Sequence, residues 1–137
     1  MAFVLDASVI LAWLLPDERS AAAERLVGRV AEDRAVAPSL LLLEVGNALL
    51  QAQRRTRIPA ATRMELLGAF TTLPIILEPI SAESMLRAGA LAEAHALSLH
   101  DGCYLELAAS RGCPLATFDG DLVRAANAAG VSLADGG

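Results

Sequence analysis

The sequence predicts an α/β domain, with a mainly parallel central sheet of four to five short strands flanked by about seven helices. Three observations predict it. Short apolar runs alternate with longer stretches of helical period along the whole chain. Prolines and glycines fall between these stretches and punctuate them. At 137 residues and 55% hydrophobic composition, the chain suits one domain, residues 1–137, with a sizeable core. No internal repeat, low-complexity tract or linker interrupts the pattern.

Phe3-Val4-Leu5 reads as a buried first strand ending at Asp6, followed by an apolar helix from Ala7 to Leu15 that Pro16 stops. A second helix is expected from Glu18 to about Asp33, with Ala22, Leu26 and Val30 on one face. Ala35-Val36-Ala37 is a short strand. Pro38 then suits the first turn of a long helix reaching Arg55, and Pro59 opens another to Leu73. Ile75-Ile76-Leu77 is a third strand, bracketed by Pro74 and Pro79. Ser81 is an N-cap candidate for a helix to Leu97. Asp101 starts the next helix, closed by Gly112. Pro114 to Thr117 gives a fourth strand, Asp119 or Asp121 opens a last helix to Ala129, and Val131-Ser132-Leu133 is an expected fifth, edge strand. Gly28, Gly68 and Gly89 are expected inside helices for close packing, and Asp135-Gly136-Gly137 as a frayed tail.

Composition narrows the function classes. Two cysteines, Cys103 and Cys113, with no C-x-x-C, exclude a disulfide scaffold and a zinc ribbon and fit a reducing, cytoplasmic setting. The N-terminus lacks a basic region and meets Asp6 early, unlike a signal peptide. No apolar run reaches the ~18 residues of a membrane helix. Eleven arginines and no lysine stand against sixteen acids, a net charge of −5. A polyanion would be bound only if cations corrected the local field.

Most acids are placed where a solvated face puts them; five are not. Asp6 lies at the carboxyl end of a central strand, the edge where open α/β sheets bind ligands, and it also suits an N-cap unless Ser8 takes that task. Glu44 sits among Leu40 to Leu43, Val45, Ala48 and Leu49. In a helix expected to be largely buried it needs a cation, a proton or a hydrogen-bond partner. Asn47 and Gln51 continue its polar stripe, and an arginine partner is the alternative. Asp101 and Asp119 each open a helix, as ligands or as caps, and Asp121 follows on the first turn. Carboxylates gathered in one pocket would take up protons, unless a hard cation such as Mg²⁺ or Mn²⁺ joins them.

Four blocks carry a resemblance: Phe3-Val4-Leu5-Asp6-Ala7-Ser8; Leu43-Glu44-Val45-Gly46-Asn47-Ala48-Leu49; Leu97-Ser98-Leu99-His100-Asp101-Gly102-Cys103-Tyr104; and Ala116-Thr117-Phe118-Asp119-Gly120-Asp121-Leu122. In order and spacing they resemble the motif blocks of PIN-domain ribonucleases, especially the VapC-like toxins of toxin–antitoxin pairs. The resemblance implies a PIN-like fold and makes Asp6, Glu44, Asp101 and Asp119 the catalytic acidic quartet. It implies Mg²⁺ or Mn²⁺ held by Asp6, Asp101 and Asp119, with Asp121 a ligand in some members. Ser8, Asn47 and Thr117 match supporting polar residues. It also implies a homodimer, an RNA substrate and a VapB-like antitoxin. Gly102 stands where a small Ala is usual, with slight loosening of the helix start expected.

On this reading Glu44 binds through water or orients the attacking water, and Thr117 fixes a carboxylate rotamer. Arg54, Arg55 and Arg57 form the one dense basic cluster. It fits either an RNA backbone contact or the dipole of a helix C-terminus. Five aromatics, with Phe3 and Trp13 in expected core positions, form no stacking stripe. A receiver domain would need a lysine and a haloacid-dehalogenase phosphatase an Asp-x-Asp; neither is present. The remaining alternatives are a binding module that represses an operon with its antitoxin, and a stand-alone housekeeping ribonuclease.

Overall fold

A computed structural model describes residues 1–134 of the chain; the Asp135-Gly136-Gly137 tail lies outside the described residues. Among the described residues, four parallel strands form one sheet: β1 (Phe3–Leu5), β2 (Ala35–Pro38), β3 (Ile76–Glu78) and β4 (Leu115–Ala116), in the order β3-β2-β1-β4. Seven helices accompany them: α1 (Ala7–Leu14), α2 (Ala21–Gly28), α3 (Leu40–Arg54), α4 (Ala60–Thr71), α5 (Ala82–His95), α6 (Leu99–Arg111) and α7 (Gly120–Ala129). Val4 pairs with Val36 on one side and Leu115 on the other, so β1 lies inside the sheet and all three of its residues are buried. Because every strand runs the same way, the residues that follow β1, β2 and β4 (Asp6, Ser39 and Thr117) emerge at one edge.

Local chemistry explains where the elements begin. Ser81 and Ser84 form a reciprocal capping box on α5, as the serine predicts. Several boundaries depart from the sequence reading. The second helix is Ala21–Gly28, not Glu18 to Asp33. Ser20 caps it by accepting the Ala23 N–H at 3.1 Å, and beyond Gly28 the chain tightens into i→i−3 turns. Pro38 ends β2 rather than opening α3; its missing N–H is harmless there, and the following Ser39 N–H donates to Glu78 O at 2.9 Å. Ser98, not Asp101, caps α6, accepting the Asp101 N–H at 3.1 Å. The fifth strand reduces to one bridge, Leu115 with Leu133.

The apolar face of α3 is also narrower than its composition suggests. Leu41, Val45 and Leu49 are buried, while Leu42 and Leu43 face solvent, Leu43 at 78% exposure. Gly28 and Gly68 face open space, so packing does not require them. Gly102 is the glycine that packing does require. A Cβ there would stand 2.6 Å from the Ala88 carbonyl and 3.1 Å from the Ala92 methyl. The expected loosening is replaced by close approach of α6 to α5, which sets the position of Asp101 beside it.

Candidate active site

Asp6 is 4% exposed and closes β1. Its Oδ1 accepts the Ser8 N–H at 2.9 Å and the Ser8 hydroxyl, and its Oδ2 accepts the Thr117 hydroxyl at 2.7 Å. Asp6 therefore does serve as the N-cap of α1, leaving Ser8 to a different task. Both hydroxyls are themselves anchored on the chain after β4. Ser8 Oγ accepts the Phe118 N–H at 2.8 Å, and Thr117 Oγ1 accepts the Asp119 N–H at 3.0 Å. The parallel β1–β4 pairing thus carries two loops whose side chains lock one carboxylate in a fixed rotamer. Burial pushes that carboxyl up to about 6, against the four hydrogen bonds from Ser8, Thr117 and the α1 backbone that favour its charged form.

Glu44 lies half-buried on α3, and its partner is neither Asn47 nor an arginine. The hydroxyl of Tyr104, from α6, donates to Glu44 Oε1 at 2.5 Å. Tyr104 is 1% exposed, and burial followed by the adjoining Glu44 carboxylate raises its phenol far above the ordinary range. It sits three residues after Asp101, on the same helix face. Sequence reasoning gave Tyr104 no role. The available signal was a lone tyrosine in an apolar stretch, whose hydroxyl must find a partner when buried.

Asp101 occupies the third position of α6, free of the capping task that Ser98 performs. Its carboxyl is raised by burial first, then by the charges of Asp119 and Glu44, and more weakly by Asp121. Asp119 caps α7, with Oδ1 accepting the N–H groups of Asp121 at 2.9 Å and Leu122 at 3.3 Å. Both readings of Asp119 stay compatible, because a carboxylate with one oxygen committed retains acceptor sites. Asp121 is well exposed and lies 3.6 Å from the Arg124 guanidinium. Arg124 also donates to the His95 carbonyl at 3.2 Å, tying α7 to the end of α5.

Asp6, Glu44, Asp101 and Asp119 come from four segments and share one electrostatic neighbourhood. Tyr104 feels Glu44, Asp6 and Asp101, while Asp101 feels Asp119, Glu44 and Asp121. Among the described residues, no three His, Cys, Asp or Glu side chains stand together as a ready cage for an ion. Both Asp6 oxygens are engaged by Ser8 and Thr117. The donor chemistry nevertheless fits a hard divalent cation, all carboxylate and hydroxyl oxygen with no thiolate or imidazole among them. A shallow depression of about 480 Å³, lined by Leu40, Leu43, Glu44, Asn47, Ser98 and His100, opens beside the acids.

The basic cluster lies elsewhere. Arg54 ends α3, ten residues beyond Glu44 and so about 15 Å further along the helix axis. That location suits the dipole reading of Arg54 and Arg55. Arg57 is engaged by both oxygens of Asp17, at 2.8 and 2.9 Å, and by Glu18 at 3.0 Å.

The model of the PIN domain matches residues 3–128. The chain belongs to the PIN-domain family. This PIN domain is 36% identical over 126 residues to ribonuclease VapC3 of Pyrobaculum aerophilum, covering 89% of this chain and 92% of that relative. Its fold is shared with VapC20 of Mycobacterium tuberculosis, a sarcin-ricin loop cleaving toxin. The TM-score is 0.69 at 18% identity, with 97% of this chain and 98% of that one covered. It is shared likewise with VapBC2 of Rickettsia felis, solved bound to a DNA fragment from its promoter. There the TM-score is 0.66 at 16% identity, covering 98% of each chain.

Proposed function

We propose that this PIN domain is the endoribonuclease toxin of a VapBC-like toxin–antitoxin pair, a hydrolase that cleaves RNA phosphodiester bonds with a divalent cation, Mg²⁺ or Mn²⁺. The observations that support the reading are Asp6, buried at the end of β1 and locked by Ser8 and Thr117, and Asp101, whose carboxyl is raised by burial and by the nearby charges of Asp119 and Glu44. The 36% identity to a VapC ribonuclease supports the activity, and the shared fold with a VapBC assembly supports a VapB-like antitoxin as partner. The same kinship favours a homodimer acting in the cytoplasm. No helix among the described residues is long and apolar enough to cross a membrane.

Asp6, Asp101 and Asp119 would hold the cation, with Asp121 at the outer margin. The cation supplies Lewis acidity, which eases deprotonation of water and offsets charge growing on the phosphoryl oxygens. Asp6 acts as the fixed point of the site, because its rotamer is set by two hydroxyls before anything binds. Glu44, with Oε1 committed to Tyr104, keeps Oε2 available to orient the attacking water and accept its proton. Thr117 couples Asp6 to the Asp119 backbone, so the two ligand segments move together.

The test is cleavage of a defined RNA by purified protein in Mg²⁺, in Mn²⁺ and in EDTA. Cleavage should need the ion and fall at least 100-fold in Asp101→Asn with the fold intact. Undiminished cleavage in EDTA, or by that variant, would refute the assignment.

A further inference from the structure

Four of the five aromatic side chains belong to the interior: Phe3, Phe70 and Tyr104 are buried, and Trp13 packs against the core. Phe118 alone is exposed, at 43%, and it stands between Thr117 and Asp119. Its backbone does not float. The Phe118 N–H donates to Ser8 Oγ, and Ser8 Oγ donates in turn to Asp6. Phe118 contributes to a shallow cavity of about 480 Å³ whose other lining residues are Ser8, Leu11, Ala12, Glu18 and Ser20. The lining therefore combines apolar Leu11, Ala12 and Phe118 with the polar Ser8, Ser20 and Glu18, and Ser8 joins the cavity to the acidic site.

We infer that this cavity is a nucleobase subsite, in which a base flanking the cleaved phosphodiester of single-stranded RNA stacks on the Phe118 ring. Two features point to a base. A partly exposed aromatic ring stands next to the residues that would handle the phosphate, and a base is what lies one sugar away from it. The apolar lining suits the faces of a base, and the serine and glutamate side chains suit its edge. A single ring, unlike a stripe, reads one position and leaves the rest of the strand to backbone contacts. The inference rests on the ribonuclease reading and extends it to a specific contact.

The test uses a short single-stranded RNA with a cleavage-resistant backbone, carrying one 2-aminopurine moved position by position, in Mn²⁺. Fluorescence quenching should peak at one position in the wild type and vanish in Phe118→Ala. The variant's affinity should be roughly 5- to 100-fold weaker, the range for one lost base–aromatic stack. Phe118→Leu, which keeps apolar area without the flat ring, should lie closer to Ala than to the wild type. Thermal midpoints should be unchanged, because the ring is at the surface. Equal affinity and quenching in wild type and Phe118→Ala would overturn the subsite while RNA cleavage by the wild type left the ribonuclease reading standing. Sedimentation showing that Phe118→Ala alters only self-association would overturn it in favour of a protein contact. A wild type that neither binds nor cleaves any RNA would remove both readings together.

Discussion

Asn in place of Asp6 should stabilise the ion-free protein while destroying its activity. In the fold without a cation, burial raises the Asp6 carboxyl from 3.8 to about 6. That difference of about 2 pH units corresponds to about 3 kcal/mol. The folded state holds the proton more tightly than the unfolded one, so stability falls as pH rises from about 4 to 6, and the full penalty applies above about 6. Asn carries no charge and keeps an acceptor oxygen for Ser8. It gives up the Thr117 hydrogen bond in its present form, a loss of about 1 kcal/mol. The net expectation is a gain of about 2 kcal/mol at pH 7.5 in EDTA, shrinking to zero or reversing near pH 4. Urea unfolding of both proteins in EDTA across that range measures it, and RNA cleavage in Mn²⁺ should be lost. A variant less stable than wild type by a constant amount at every pH would show that Asp6 is not a strained carboxylate, and the reasoning would fail.

Three further outcomes follow from particular contacts. Tyr104→Phe retains the buried ring and frees Glu44 to turn away from the attacking water, so RNA cleavage should drop about 10- to 100-fold, with at most about 1 kcal/mol lost in urea unfolding. Gly102→Ala drives a methyl onto the Ala88 carbonyl. It should lower stability by about 1–3 kcal/mol, and cleavage should fall with it because Asp101 adjoins the displaced backbone. Thr117→Val removes both the donor to Asp6 and the acceptor of the Asp119 N–H; RNA cleavage should decline at least 10-fold, more than any change in thermal midpoint explains.

The sheet was legible because its strands are short, wholly apolar and fenced by helices of a different period. Phe3-Val4-Leu5 and Leu115-Ala116 can be little else when Asp6 and Thr117 mark their ends. Helix starts were legible where one residue had one capping role, as at Ser81. They were not where two candidates competed: Ser98 takes the cap that Asp101 was expected to hold, and Ser20 displaces Glu18. A Ser followed three residues later by Asp was the overlooked signal. The run Leu40 to Leu43 showed that apolar composition does not say which leucines face inward, since that depends on α3's rotation against the sheet. The Tyr104–Glu44 contact joins residues 60 apart in sequence, on α6 and α3, and no local pattern encodes it. Gly102 was misjudged for the same reason: its neighbour, the Ala88 carbonyl, belongs to another helix.

A divalent cation should be gathered by acids from the end of β1, the first turn of α6 and the segment after β4. Crystals soaked in Mn²⁺ and measured at its absorption edge test it most directly. The account predicts an anomalous peak bounded by the carboxylates of Asp6, Asp101 and Asp119. A peak at a different set of residues, or none from crystals of a protein that still cleaves RNA, would contradict it.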